Sequence, residues 1–532
     1  MRLGGCHAGA AGGDPAGAWG AAFQGRFGRK TEHNLKGRTP PRFIMSLTQK
    51  TITGIIWNVA EQVARKGTGV IITLLLARFL VPADFGLIAM MAVFLAVAQS
   101  LMNSGFKQAL IRFKDARQVD FNTAFYANVS LGIISYLLLF LAAPFISEFY
   151  NEPRLTLLVR VAGLNIIIHS FEIVQSAVLS RKLNFKAQLQ ATLPAGIISG
   201  LIAVAMAYAG LGVWALIFQI LLSSLLITVF LWKIQGWRPS LSFSKESLKS
   251  MYSFGYKLFL SGLLNTIFLN LYIVVIAKLF AASIAGQYFF AKKIKDIVNS
   301  QLVSSIQTVT YPALASIQDD DKRLKAGYRK VIQITTFILF PSMLLLAALA
   351  RPLFMVLLPD KWLPAVPYLQ LMCLGGVMFP LHTINLNILQ VKGRSDLFLY
   401  LEIIKKTLTV IILYISYRYG VTGILIGQII GSVLAYIPNS YFSAKLINYS
   451  ALEQIADVLP SLGLSVVVAL LIVAADSLTY WPAIVGLIVF GLAAVGLYLA
   501  GAHVLKLQPY WVAREMLVRF IFQKGDKSEK IL

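Results

Sequence analysis

Between residues 53 and 504 the chain repeats one pattern: about twenty mostly apolar residues, a short polar break, then another apolar run. A helix of that length spans the roughly 30 Å hydrocarbon core of a bilayer. A water-soluble core has no room for so many such runs, so the pattern commits the chain to lipid. Composition agrees: 57% of the 532 residues are hydrophobic and 13% are charged, with a mean hydropathy of +0.72. Soluble domains carry about a quarter charged residues. The runs predict about fourteen transmembrane helices, near 53–76, 86–106, 122–144, 156–179, 188–209, 212–232, 253–277, 284–310, 331–350, 366–390, 397–418, 421–444, 457–476 and 482–504. An even number puts both termini on one side.

The net charge of +25 would point to nucleic acid in a soluble protein. In a membrane protein, lysine and arginine collect in cytoplasmic loops instead, and no nucleic-acid partner is expected. Alternate loops from Lys107–Asp120 onward, with the C-terminal tail, hold about 25 Lys and Arg; the opposite loops hold about 6. This asymmetry predicts cytoplasmic termini. Two cysteines, Cys6 and Cys373, allow no disulfide framework, and no spacing suggests a metal site.

Residues 1–45 stand outside the pattern. They are rich in Gly and Ala and then basic, without the apolar core of a signal peptide. They read as a disordered tail, and Met45, opening MSLTQKTITGIIW, reads as the natural start. The domains expected are this tail, a lobe of helices 1–6 (46–235), a lobe of helices 7–12 (236–447), a C-terminal helix pair (448–505) and a basic cytoplasmic tail (506–532). An internal echo supports two lobes. Ala77, Arg78 and Gly86 recur as Ala277, Lys278 and Gly286, and GVWALIFQI (212–220) resembles GVTGILIGQI (420–429). Transporters built from such repeats place their site at the repeat interface. The fold class expected is an all-α membrane protein with two six-helix lobes around a central cavity.

Ionisable residues inside the helices mark the site. Nine bases (Arg65, Lys66, Arg160, Lys257, Lys292, Lys293, Lys295, Lys405, Lys406) face four acids (Glu61, Glu172, Asp296, Glu402). A central Lys or Arg costs about 2.5–3.5 kcal/mol on the lenient insertion scale. Nine facing lipid would cost on the order of 20 kcal/mol, more than an ordinary fold's stability. Most must therefore meet water, a partner charge or the headgroups. Arg160 and Lys257 sit near helix ends, where snorkelling is open to them. Lys405 and Lys406 have Glu402 one turn away. Thr53, Trp57, Glu61 and Arg65 form a polar stripe on the first helix; Lys292, Asp296 and Ser300 form one on the eighth, flanked by Lys293 and Lys295. An excess of positive charge suits a water-filled cavity for an anion. Arg65, Lys66, Lys292 and Lys293 are the candidates for it. Gln99 and Asn103 on the second helix, and Ser261 and Asn265 on the seventh, add groups able to hold sugar hydroxyls.

The stretch TITGIIWNVAEQVARKGTGVIITLLLARFLVPADFGLIAMMAVF (51–94), with ARFLVPADFG (77–86) its most specific part, resembles the Wzx-type polysaccharide flippases of the multidrug/oligosaccharidyl-lipid/polysaccharide exporter superfamily. The likeness covers about residues 46–520. It implies fourteen helices in two lobes and a cavity that opens alternately to cytoplasm and periplasm. It also implies a substrate, an oligosaccharide on an undecaprenyl diphosphate carrier, for lipopolysaccharide O-antigen, capsule or exopolysaccharide synthesis. Basic residues on the first, seventh and eighth helices face the diphosphate in that family, which extends the role to Lys257. No cofactor is implied. Net direction requires an H+ or Na+ gradient or removal of product, with Glu61 and Asp296 as candidates for ion coupling. A monomer is the default, docking with a polysaccharide polymerase and a chain-length regulator being the partnership the likeness suggests. A peptidoglycan lipid-precursor flippase is the near alternative. A multidrug antiporter would want an acidic cavity. A membrane polymerase or glycosyltransferase would want a catalytic constellation, and the longest outer loop, 351–365, holds one acid, Asp360.

Overall fold

The computed structural model describes residues 47–113, 115–479 and 481–522. Of its two units, Met1–Ile52 contributes the opening of the first helix, and everything below concerns Thr53–Leu532. The tail at 1–45 and the start at Met45 lie outside the described residues. The first half holds α1 (Leu47–Phe79), α2 (Pro82–Asn103), α3 (Phe106–Arg112), α4 (Gln118–Tyr150), α5 (Leu155–Ser170), α6 (Ile173–Arg181), α7 (Phe185–Tyr208) and α8 (Val213–Ile234). The second holds α9 (Lys245–Leu279), α10 (Ala282–Ala315), α11 (Asp321–Ala348), α12 (Ala350–Leu357), α13 (Val366–Gly376), α14 (Phe379–Val391), α15 (Ser395–Ser416) and α16 (Gly420–Ile447). Then follow α17 (Ala451–Leu478), α18 (Ala483–Val504) and α19 (Gln508–Phe522). The fold is all-α, with no strand among the described residues.

Eleven stretches are long and apolar enough to cross a membrane among the described residues, against the fourteen expected. Charge and geometry account for the difference. The stretch Asp396–Ile447 is counted once but contains α15 and α16. The stretches α1 and α10, at 33 and 34 residues, have the length, but both carry the charges discussed above. Outward faces are what lipid solvates: Ile134, Leu137, Leu138, Leu141 and Phe145 run along α4 at helical spacing and are all exposed.

The internal echo holds in space. Each half has its fourth membrane helix broken, at Phe171–Glu172 between α5 and α6 and at Val377–Met378 between α13 and α14. Each then turns through a residue in the left-handed region, Leu183 (φ 55°) or Gly393 (φ 68°). Gly212 (φ 54°), just before α8, and Gly420 (φ 72°), the first residue of α16, both have positive φ, which explains the GV echo at 212 and 420: only glycine adopts that backbone freely. The stretch 351–365, expected as an outer loop, holds most of α12 and a tight 3-10 turn, Asp360–Ala365.

Polar side chains fasten helices where lipid offers no partner. In the second half Tyr328 donates to Asn385 Oδ1 (2.9 Å), and Asn385 donates to Gln454 Oε1 (3.0 Å), tying α11, α14 and α17 together. Bonds of this kind contribute about 0.6–2 kcal/mol each in membranes. A Ser450–Glu453 capping box starts α17. In the first half Asn122 donates to Ser240 and Ser242, both at 2.6 Å. Asp120 accepts from Ser247 Oγ at 2.5 Å. These contacts pin the segment joining α8 to α9 beneath α4.

Candidate functional site

The two halves meet along α2, which lies against α10 and α9. At its start the approach is backbone to backbone. A Cβ on Gly86 would stand 1.8 Å from the Ala282 carbonyl oxygen, and one on Gly286 would stand 1.8 Å from that of Pro82. The contact is reciprocal, each repeat's glycine admitting the other repeat's carbonyl. The basic residues of the echo act likewise. Arg78 Nε donates to the Leu357 carbonyl of the second half at 3.2 Å, and Lys278 Nζ donates to the Phe149 carbonyl of the first. Trp362, fully buried, donates to the Ala77 carbonyl at 2.8 Å and packs on Phe85 and Phe290. Beyond the far end of α2 a second close approach occurs: a Cβ on Gly255 would meet the Ser104 carbonyl oxygen at 2.2 Å, and one on Gly105 the Gly255 Cα at 2.7 Å.

Between these two contacts lies a cavity of about 610 Å³, walled by α1, α2, α9 and α10. Val63, Val70, Ala92, Ile273, Phe289 and Ile297 form an apolar wall; Lys66, Lys292, Lys293 and Asp296 form a charged edge. Among the lining residues, three cations stand against one carboxylate. Gly67 and Gly69 keep the α1 wall open, with nothing within 4 Å of where their Cβ atoms would be. Asp296 is held between Lys292 Nζ (2.8 Å) and Lys295 Nζ (2.9 Å). Lys293 Nζ donates to Thr73 Oγ1 across the halves at 2.7 Å, so a hydroxyl of α1 aims that amine. The arrangement offers an amphipathic anion an apolar face and a cationic edge at once.

Lys66, Lys292, Lys293 and Asp296 are thus brought together. Arg65 stands beside Lys66, is more than half exposed, and pairs with the buried Glu61 at 3.2 Å; it is not among the lining side chains. The Lys257 side chain lies outside the described residues. Asn265 on α9 is exposed, and Asn270, one turn further on, lines the cavity instead. Asn103 lines a separate polar pocket with Lys107, His169 and Glu172. Asn270, Thr73 and Lys295 are the residues that sequence reasoning missed or left marginal. Elsewhere Lys405 and Lys406 both pair with Glu402, and Arg160 lies over the Phe140 ring at 4.2 Å. These three therefore have local partners outside the cavity.

The family described as "Polysaccharide biosynthesis protein" matches residues 75–367. Lipopolysaccharide biosynthesis protein WzxC of Escherichia coli (strain K12) is 28% identical over 401 residues, spanning 74% of this chain and 81% of its own. Succinoglycan biosynthesis transport protein ExoT of Rhizobium meliloti (strain 1021) is 26% identical over 340 residues, 64% of this chain and 69% of its own. Among solved structures, lipid II flippase MurJ in an inward closed conformation shares the fold: the TM-score is 0.70 over 85% of this chain and 98% of that one, at 14% identity. An inward-facing multidrug resistance MATE family transporter of the MOP superfamily gives a TM-score of 0.54 over 74% and 96%, at 17% identity.

Proposed function

Since the chain belongs to the polysaccharide biosynthesis protein family, we propose that it carries undecaprenyl-diphosphate-linked oligosaccharide repeat units across the bacterial inner membrane by alternating access. The observation that carries this reading is the cavity between the halves, lined by Lys66, Lys292 and Lys293 together with apolar side chains. A lipid diphosphate carries about two negative charges close together, and preplaced ammonium groups in a low-dielectric site bind such charge strongly. The lipid and glycan leave the cationic edge in opposite directions, the one towards hydrocarbon and the other towards water. Asn270 supplies an amide for sugar hydroxyls, and Arg65 extends the basic surface along α1. The termini face the cytoplasm on the charge asymmetry of the loops, and the chain acts as a monomeric carrier with no chemical step of its own.

Binding shifts only the balance between states that differ in affinity. Net direction therefore draws on an ion gradient, H+ or Na+, or on consumption of the product by a polymerase outside. Glu61 and Asp296, each within 3.3 Å of a cation in this region, are the acids assigned to ion exchange.

The test is made in the native host. Lys293→Ala, Lys292→Ala and Arg65→Ala are compared at matched protein levels for surface polysaccharide and for lipid-linked repeat units left on the cytoplasmic face. Loss of polymer with accumulated inward-facing intermediate supports the reading. Normal polymer from all three removes the basis for a diphosphate site here. Growth of cells lacking the chain separates a dispensable glycan carrier from a peptidoglycan-precursor carrier, whose loss halts wall synthesis.

A further inference from the structure

The break in the fourth membrane helix is not demanded by the cavity, and it carries ionisable groups. At this break α5 stops at Ser170 and α6 begins at Ile173. The sequence between holds no proline or glycine, so nothing in the chain forces the interruption. The freed backbone is satisfied by the neighbouring helix: Trp232 Nε1 donates to the Phe171 carbonyl at 2.9 Å, and Thr228 Oγ1 donates to that of Ile168 at 3.4 Å. A break held in this way inside a membrane helix commonly lies at a functional site. Here it turns His169 and Glu172 towards each other, with Nδ1 and Oε1 2.9 Å apart and side chains only 25% and 14% exposed.

These two side chains line a pocket of about 210 Å³ that faces the end of α2 and the start of α3. Lys107 is the other charged group lining it among the described residues, its Nζ donating to Ser176 Oγ at 2.8 Å. Glu172 lies within electrostatic reach of Lys107, as do Glu61 and Arg65 on α1. From α8, Thr228 and Trp232 present neutral donors. The pocket has room for a few waters at about 30 Å³ each and none for a saccharide repeat. Its chemistry is that of an imidazole and a carboxylate sharing a proton, and imidazole is the side chain that exchanges protons near neutrality.

The pocket also adjoins the second inter-half contact. Asn103 and Lys107, which line it, flank Gly105, and Gly105 lies against Gly255 of the second half.

We propose that the His169–Glu172 pair at the broken fourth helix is a proton-binding site that governs the contact between Gly105 and Gly255. With Glu172 ionised and His169 neutral, the pair carries one negative charge and draws Lys107, and with it the loop of Gly105, onto the first half's framework. A proton taken from water onto imidazole Nε2 leaves an imidazolium beside a carboxylate, with no net charge. The contact with Gly255 closes as the loop of Gly105 escapes that pull. Return of the proton to water restores the pull. The inference rests on the reading that the halves part during transport, and it places a control on that motion apart from the diphosphate edge.

The experiment is a spin-label distance measurement on the full chain in lipid nanodiscs. Labels are placed on cysteines at Ile111 and Tyr252, both exposed on opposite sides of this contact, with Cys6→Ser and Cys373→Ala in the background. Distances are recorded at about pH 8 and about pH 5.5, either side of the ordinary histidine range. In the parent, the short-distance population is expected to dominate at the lower pH and to fall severalfold at the higher. Glu172→Gln should give the low-pH distribution at both. His169→Gln should give the high-pH distribution at both. The opposed outcomes of the two variants separate a switch from simple misfolding. One distribution at both pH values in the parent, or a pH response that survives both substitutions, overturns the proposal. The export assay reports separately on the carrier: lost export with an intact pH response leaves the switch standing, and the reverse leaves the carrier standing.

Discussion

Lys293 crosses from α10 to Thr73 of α1 and is tied to the opposite half by that hydrogen bond. Its replacement by alanine removes both a binding charge and that tie. Thr73→Val removes the tie alone, a hydrogen bond to a charged group worth about 1.5–3 kcal/mol. Export rate in the native host is expected to fall further in Lys293→Ala than in Thr73→Val, with both below the parent; equal, normal rates would show that the crossing bond is incidental. Glu402 gives a contrasting case. It neutralises two lysines away from the cavity, so Glu402→Gln removes the carboxylate from two partly buried cations and leaves Lys406 only its place over the Phe268 ring at 4.8 Å. Breaking a fully buried pair costs about 3–5 kcal/mol; partial exposure here reduces that to about 1–3 kcal/mol. A lowered unfolding temperature in detergent is expected, with export per folded molecule unchanged. At this scale the sequence revealed Lys66, Lys292, Lys293 and the Glu402 pairs because charge inside a membrane is costly wherever it stands. It did not reveal Asn270. Asn265 and Asn270 stand about 140° apart around a helix of 3.6 residues per turn, and only packing decides which faces inward.

Helices were legible wherever apolar length alone defines them. The breaks were not. The sequence reading ran one helix through 366–390, across the interruption at Val377–Met378, and nothing between Ser170 and Ile173 announced its twin, which depends on donors from α8. Residues 508–522, read as basic tail, form α19. The echo of Gly86 and Gly286 was visible, yet its meaning lay in the distances. Gly286→Ala sets a methyl group 1.8 Å from the Pro82 carbonyl oxygen, so α2 and α10 must separate at that end. Cysteine at Ala92, in the cavity wall, is therefore expected to react faster with a membrane-impermeant thiol reagent in Gly286→Ala than in the parent, when reagent is added from the periplasmic face. Unchanged labelling would mean that the helices yield without opening the cavity.

For the whole molecule, loop charge predicts an orientation that side-specific labelling can check. Cysteines at Asn151 and at Asp319 should label from opposite faces, Asn151 from outside and Asp319 from the cytoplasm; labelling from the same face, or reversed, overturns the assignment. The halves are joined by contacts at both ends of α2 and by reaching side chains from each. Because Gly86 makes room for a carbonyl in the copy that carries Gly286, and the reverse, neither copy of this duplication is at liberty to diverge alone. A change in one is felt as a clash in the other, and no second change on the same side relieves it. Each half therefore limits the side chains that the other can carry at this contact.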